Sequence, residues 1–507
     1  MRSLLAALCL LTFGFLSVSN ASEFRPLFDG RTLTGWNSPN MSYWSVADGA
    51  ITAECTDANP AKKNQFLTWQ LGEVDDFVLK LKFRIQGPPN ANSGIQIRSR
   101  IMPDGHAVGY QADIDKQGQW LGAIYDEHTQ RKVLAKRGQR TEINKGGERT
   151  ETQFGDAKAL FESVNTVEWT DYQITAKGSH IQVHVNGKLF SEVIDHQPSE
   201  REFGGQLALQ LHSGPPVKVQ FKDIELKRLP LAEGRKKIVF LAGKPSHRPG
   251  DHEHNAGCWL LSKCLTESAD ELVQTSVYYN NGWPEDPTAF DNVDAIIIYC
   301  DGGGRHLAIP KMDYIKGLMD KGVGLGCIHY GVEVPKGEPG EDFLEMIGGY
   351  FEPYFSVNPH WDANFKELPK HPITRGVEPY EINDEWYYHM RFRPEMKNVT
   401  PILSALPPEE TRTSRWGHHH GGNPFVAKRK GMQEVVMWAS ENANGSRGFG
   451  FTGGHFHKNW GHKDHRKVVL NAILWVAKQD VPKSGINSKV SEDDLTQMLD
   501  DKQPRKK

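Results

Sequence analysis

The 507-residue sequence is short of cysteine, with six in all and five outside the N-terminal apolar run. Cys55, Cys258, Cys264, Cys300 and Cys327 form an odd, sparse set without CxxC spacing, which excludes a disulfide framework and a thiolate metal cage. They read as buried thiols, in effect small apolar side chains. An excess of charge is also missing. A formal net charge of −3 gives no electrostatic reason for a nucleic-acid or anionic-membrane partner. Internal repeats and an HExxH helix are absent, and beyond the N-terminus no segment is apolar enough to cross a bilayer. With 38% hydrophobic and 24% charged residues the composition is that of globular domains, and the length calls for two or three of them.

The N-terminus carries what a leader needs. Arg2 precedes "LLAALCLLTFGFLSV" and then "SNAS", which predicts a signal peptide over residues 1–21 cleaved after Ala21. Cys9 lies inside the apolar run behind Leu8, a poor setting for a lipid anchor. The expected location is periplasmic or extracellular.

Residues 23–229 read as all-β. Alternating runs such as "FVLKLKFRI", "SGIQIRSR", "IQVHVNGKLF" and "LALQLHSG" recur between turn signals, which predicts a sandwich of two antiparallel sheets. Residues 126–160, rich in Lys, Arg, Gly and Thr, read as a long loop over one sheet face. After the linker "LPLAEGRKK" the pattern changes. In residues 236–480 the apolar strands "KIVFLAG", "VDAIIIYC" and "VGLGCIHYG" alternate with helical stretches. That predicts a parallel sheet covered on both faces, with ligands at the C-terminal ends of its strands. Residues 483–507 read as a charged tail.

Fifteen of the 21 histidines fall in this second domain, many at predicted strand ends. His247, His252 and His254 follow its first strand and are candidate ligands for a divalent metal, Zn or similar. His329 follows the third strand, His455 follows a later one, and "INDEWYYHM" adds Asp384, Glu385 and His389. Such a set suits a transition metal and equally suits proton transfer on a sugar. His418 to His420, among glycines, read as a solvated loop. The turn "GCIHYG" poses a choice between Cys327 as nucleophile and its neighbour His329. A nucleophilic cysteine needs a base oriented by a carboxylate. The late His-x-Glu of class I glutamine amidotransferases does not occur after Cys327, so His329 is the better candidate.

In the first domain, alternation places Gln96 and Arg98 on one strand face, Gln111, Asp113 and Asp115 on another, and Gln210 and His212 on a third. These polar rows either line a sugar-binding sheet face or are the ordinary solvent-facing rows of an antiparallel sheet.

Two resemblances bear on the choice. "PLFDGRTLTGW", "WSVADGAI", "NSGIQIRSR", "VGYQADID" and "GAIYDEH" resemble, in order, the 3-keto-disaccharide hydrolase family, a laminin-G or concanavalin-like jelly roll, over residues 23–229. Where many members read Gly-Tyr-Glu-x-Gln, this chain has Gly109-Tyr110-Gln111-Ala112-Asp113. "GLGCIHYG", "HPITRG", "NDEWYY", "GFTGGHF" and "AILWVA" resemble the ThuA-like (trehalose-utilisation) family over residues 236–480, an α/β fold of class I glutamine amidotransferase-like type. The resemblance implies cleavage of a 3-keto-glycoside by removal of the C2 proton, β-elimination of the C1 oxygen and hydration. The candidate catalytic residues are Asp113, Asp115 or His212 as base, Arg98 at the enolate, and Tyr125 or His212 as acid. In the second domain they are His329, Glu385 and His455. Asn92, Gln96, Gln111, Gln210 and Asp384 are the candidate substrate contacts. The implied partners are an oligosaccharide or glycoside and a separate sugar 3-oxidoreductase upstream, since no dinucleotide-binding unit is read in the chain. Two rival readings make the jelly roll a noncatalytic carbohydrate-binding module beside a catalytic second domain, or the whole chain a glycan-binding protein.

Overall fold

A computed structural model describes residues 23–280, 282–413, 419 and 421–502. The expected signal peptide, His418 and His420 lie outside the described residues.

The first domain is an all-β sandwich of a ten-stranded and a seven-stranded sheet. The strand Phe77–Gln86 shows why. Phe77, Leu79, Leu81, Phe83 and Ile85 alternate with Lys80, Lys82 and Arg84, so the pleat sends the apolar set into the core between the sheets. Each such side chain contributes about 1.5–3 kcal/mol on full burial. The seven-stranded sheet runs Lys132–Ala135, Ile124–Glu127, Ala107–Asp115, Asn92–Ile101, Gln206–Leu211, Gln65–Trp69 and Trp36–Asn37. Residues 126–160 are not the expected loop. They add Lys132–Ala135 to one sheet and Gln139–Ile143 with Arg149–Gln153 to the other, the middle strand pairing in parallel with Lys188–Asp195. Their charged side chains hid these strands, of which Arg149–Gln153 lies at a sheet edge and is exposed along its whole length.

In the second domain the sheet is mixed rather than parallel throughout. Val273–Tyr278, Lys236–Ala242, Ala295–Tyr299, Gly324–Ile328 and Arg447–Phe451 are parallel, and Glu434–Glu441 and Val399–Ala405 extend it antiparallel. Helices His254–Ala269 and Lys463–Val476 cover one face, and Met312–Met319 and Glu338–Ile347 the other. The five described cysteines are all buried and free.

Candidate functional site

On the outer face of the seven-stranded sheet, register brings four strands' polar residues together. Gln96 lies opposite Gln111, and Gln111 opposite Tyr125. Gln210 lies opposite Gly94, and Gly94 opposite Asp113. The Gln96 amide donates to Gln111 Oε1 at 2.7 Å, and the Gln111 amide donates to Asp113 Oδ1 at 2.7 Å. Gly94 permits this row, because a Cβ there would sit 2.6 Å from the Gln111 Cδ. Burial pushes the Asp113 carboxyl well above the usual range, against the Gln111 hydrogen bond that lowers it. Glu127 is also raised, chiefly by burial, and burial together with Glu127 and Asp113 raises the Tyr125 hydroxyl. The Gln210 side chain is fully buried with neither amide atom hydrogen-bonded. His212 lies just past the end of Gln210's strand, its Nδ1 2.6 Å from the Ser213 carbonyl, and Asn92 stands half-buried opposite Asp115.

Two residues from the sequence reading do other work. A bulge between Gln96 and Arg100 breaks the alternation, and Arg98 takes a left-handed φ of 47°. Its fully buried guanidinium donates to the carbonyls of Asp75 and Gly178 and to Asp76 Oδ1, each at 2.7 Å, away from Gln96. The Asp115 carboxylate accepts the backbone N–H groups of Gly118, Gln119, Trp120 and Leu121, at 2.8–3.1 Å, and so shapes that turn. Glu127 was not singled out. It follows Tyr125 by two residues on one strand, so alternation alone places it on the same face.

The second site sits at the C-terminal ends of the parallel strands. His252, His329, Glu385 and His455, all buried, bring one ligand atom each to within 4.8 Å of one another. His329 Nδ1 lies 2.8 Å from the Thr452 carbonyl, which only accepts, so Nδ1 carries the proton. His252 Nδ1 likewise donates to Asp301 Oδ1 at 3.0 Å. In the neutral rings both Nε2 atoms therefore present lone pairs, and they face each other at 3.1 Å. His455 Nδ1 stands 3.0 Å from His252 Nε2 and 3.0 Å from Glu385 Oε2. This donor set, three imidazole nitrogens and a carboxylate oxygen with outer hydrogen bonds fixing two ring tautomers, can hold a divalent metal. His329 and His252 also take left-handed φ values of 54° and 48°, conformations that side chains other than Gly adopt at a cost.

The electrostatics fit the same picture. Burial opposes the Glu385 carboxylate, but its close pairing with His329 and His455 outweighs it and holds the pKa well below the usual range. His455 is raised because its Glu385 partner outweighs burial, while burial and the neighbouring rings hold His252 well below its ordinary value. The three loop histidines of the sequence reading divide. His252 joins the cluster, His247 stacks on it with ring centroids 3.6 Å apart, and His254 turns away, its Nδ1 bonded to the Lys244 carbonyl. Ser246, His252 and His254 converge on Asp301, which the sequence reading missed. Its place directly beyond the strand Ala295–Tyr299 was the available signal. Asp384 is fully buried and accepts the N–H groups of Glu385, Gly454 and His455 at 2.8–3.0 Å, so it ties the strand end that carries Glu385 to the loop that carries His455. Cys327 lies inside its strand, and burial pushes its thiol well above the ordinary value, so no thiolate forms there.

Residues 23–227 match the family model of the 3-keto-alpha-glucoside-1,2-lyase-like domain, and residues 252–476 match that of the trehalose utilisation family. The chain carries one domain of each, in that order, and is a carbohydrate-active protein. A search of curated proteins found no match. Among solved structures, the carbohydrate binding module CBM66 from Bacillus subtilis is 14% identical and covers 38% of this chain and 95% of its own, with a TM-score of 0.27. A Bacillus subtilis protein with a galectin-like fold is 8% identical over 41% of this chain and 94% of its own, with a TM-score of 0.29. A protein from Parabacteroides merdae described as thua-like is 13% identical over 52% of this chain and 99% of its own, with a TM-score of 0.34.

Proposed function

We propose that the protein is an exported enzyme that cleaves 3-keto-glycosides on the outer sheet face of its first domain. The observation that carries this reading is the row Gln210, Gly94, Asp113, which sets a burial-raised carboxyl and an unpartnered amide on one face beside Glu127 and Tyr125. A ketone at C3 acidifies the C2 hydrogen. Asp113, a stronger base for its raised pKa, takes that proton, and the electron pair moves to the C3 oxygen, where the Gln210 amide donates. The enolate then collapses to a C1=C2 double bond, the C1–O bond breaks, and Tyr125 or His212 protonates the departing oxygen. Water added across the alkene completes a net hydrolysis. A separate 3-oxidoreductase supplies the ketone.

The second domain is read as a keto-sugar site on a Zn-type divalent ion held by His252, His329, His455 and Glu385. Such an ion polarises a carbonyl oxygen when bound. The histidine cluster also favours a second reading, in which the sandwich only binds sugar and turnover belongs to this pocket.

Mass spectrometry of products from a 3-keto-disaccharide and its unoxidised parent, with the full chain, tests the proposal. Monosaccharide release from the keto substrate alone is expected, and Asp113→Asn is expected to cut it by about 10²–10⁴-fold. Full activity in Asp113→Asn together with its loss in His329→Ala would transfer the chemistry to the second domain.

A further inference from the structure

The described part of the charged tail, residues 483–502, is not free in solvent. It runs along the second domain, where Arg466 donates to Ser488 Oγ at 2.8 Å and Lys263 pairs with Asp494 at 3.3 Å. Its last described residues then reach the loop that presents His252. Asn255 donates to Asp500 Oδ1 at 2.7 Å, and the Asp500 N–H donates to Glu253 Oε2 at 2.9 Å. The Lys502 ammonium donates to the carbonyls of Asp251 and His252, at 2.7 and 3.1 Å, and pairs with Glu253 Oε1 at 3.1 Å. The Lys502 side chain is 5% exposed and that of Glu253 1%. An ammonium has three donors and no acceptor, and here each has a partner on one short loop. That loop needs holding. His252 and His247 both take left-handed φ, and His252 must present Nε2 to His329 and His455.

We infer that Lys502 is a positioning residue and that the C-terminal segment is a clasp for the second site. It fixes the strained backbone at Asp251–His252, and so the place of the His252 imidazole among the other three ligand groups. The clasp couples two segments of the chain, 250 residues apart, through a buried charge. Removing it takes a donor from the Asp251 and His252 carbonyls and leaves the Glu253 carboxylate buried beside fewer donors.

The inference rests on the metal reading of this pocket for one of its two readouts. Zinc affinity of the full chain is measured by chelator competition, and hydrogen exchange is measured over residues 248–256, for the unmodified chain and for Lys502→Ala, Lys502→Arg and Lys489→Ala. Lys489 is an exposed tail lysine and serves as the control. Lys502→Ala is expected to weaken zinc binding about 10–100-fold, the usual effect of losing an outer-shell partner, and to speed exchange in that loop with its surroundings unchanged. Lys502→Arg is expected to recover most of both, and Lys489→Ala to alter neither. Unchanged exchange in Lys502→Ala overturns the clasp, as does exchange sped throughout the chain. If the unmodified chain binds no zinc, the metal reading fails by itself. Local exchange in Lys502→Ala then still decides for or against the clasp.

Discussion

Glu333 shows how one buried carboxyl links this protein's stability to pH. It lies beside Gly303 and Tyr330 at the edge of the histidine pocket, and burial, with the Glu385 carboxylate adding to it, pushes its pKa up to about 8. The unfolded chain gives up this proton near the ordinary value of 4.5, whereas the folded chain keeps it to about 8. Between those values the native state binds the extra proton, so stability falls as pH rises, by up to about 1.4 kcal/mol per pH unit from this group. Glu333→Gln should flatten the decline in urea midpoints between pH 5 and pH 8, as measured by equilibrium unfolding. Identical slopes in the two proteins would remove Glu333 from the account.

At the scale of elements, one bulge decides what a strand offers to ligand. Strict alternation along Asn92–Ile101 would put Arg98 beside Gln96 on the outer face. The extra residues at the bulge turn it to Asp76, which also accepts the Gly178 and Ala232 N–H groups. Arg98→Ala is therefore expected to lose stability, by about 3–5 kcal/mol for a broken buried pair, in chemical denaturation. A variant of unchanged stability with lost turnover would return Arg98 to the catalytic set. Loops at strand ends matter equally. Every ligand group of the second site stands on a segment at or beyond the C-terminal end of a strand, where backbone is free to take the left-handed turns that aim His252 and His329.

At the scale of the whole molecule, the two domains share a buried charge network. Arg228, from the last strand of the sandwich, donates to Asp75 at 2.9 Å and to Thr288 at 2.9 Å, and pairs with Asp286 at 3.2 Å. Lys237, in the first strand of the second sheet, reaches Asp75 at 3.4 Å. Charges so deeply placed cost far more alone than together. The sandwich and the second domain should therefore unfold in one calorimetric transition, and Arg228→Ala, which strands Asp75 and Asp286, should split it in two. A single unsplit transition in the variant would show that the network does not couple the domains.

The sequence by itself determined the two architectures, since period-two alternation and strand–helix alternation are local patterns that burial enforces. Its motifs that resemble the ThuA-like family also marked His329, Glu385 and His455 as one set. It placed Gln96, Gln111 and Asp113 on polar rows, because alternation holds wherever a strand is regular. Tertiary structure decided the rest. The inward His252 is held by Asp301, just beyond another strand, and by Lys502 on its carbonyl. Arg98 lost its expected face to a bulge that no local pattern announces. The strands within residues 126–160 were hidden because their charged and polar residues leave little apolar period, and the outermost of one sheet, Arg149–Gln153, is exposed throughout. Hydrophobic periodicity is written residue by residue. Convergence of polar groups depends on how distant segments meet, and only the folded chain sets that.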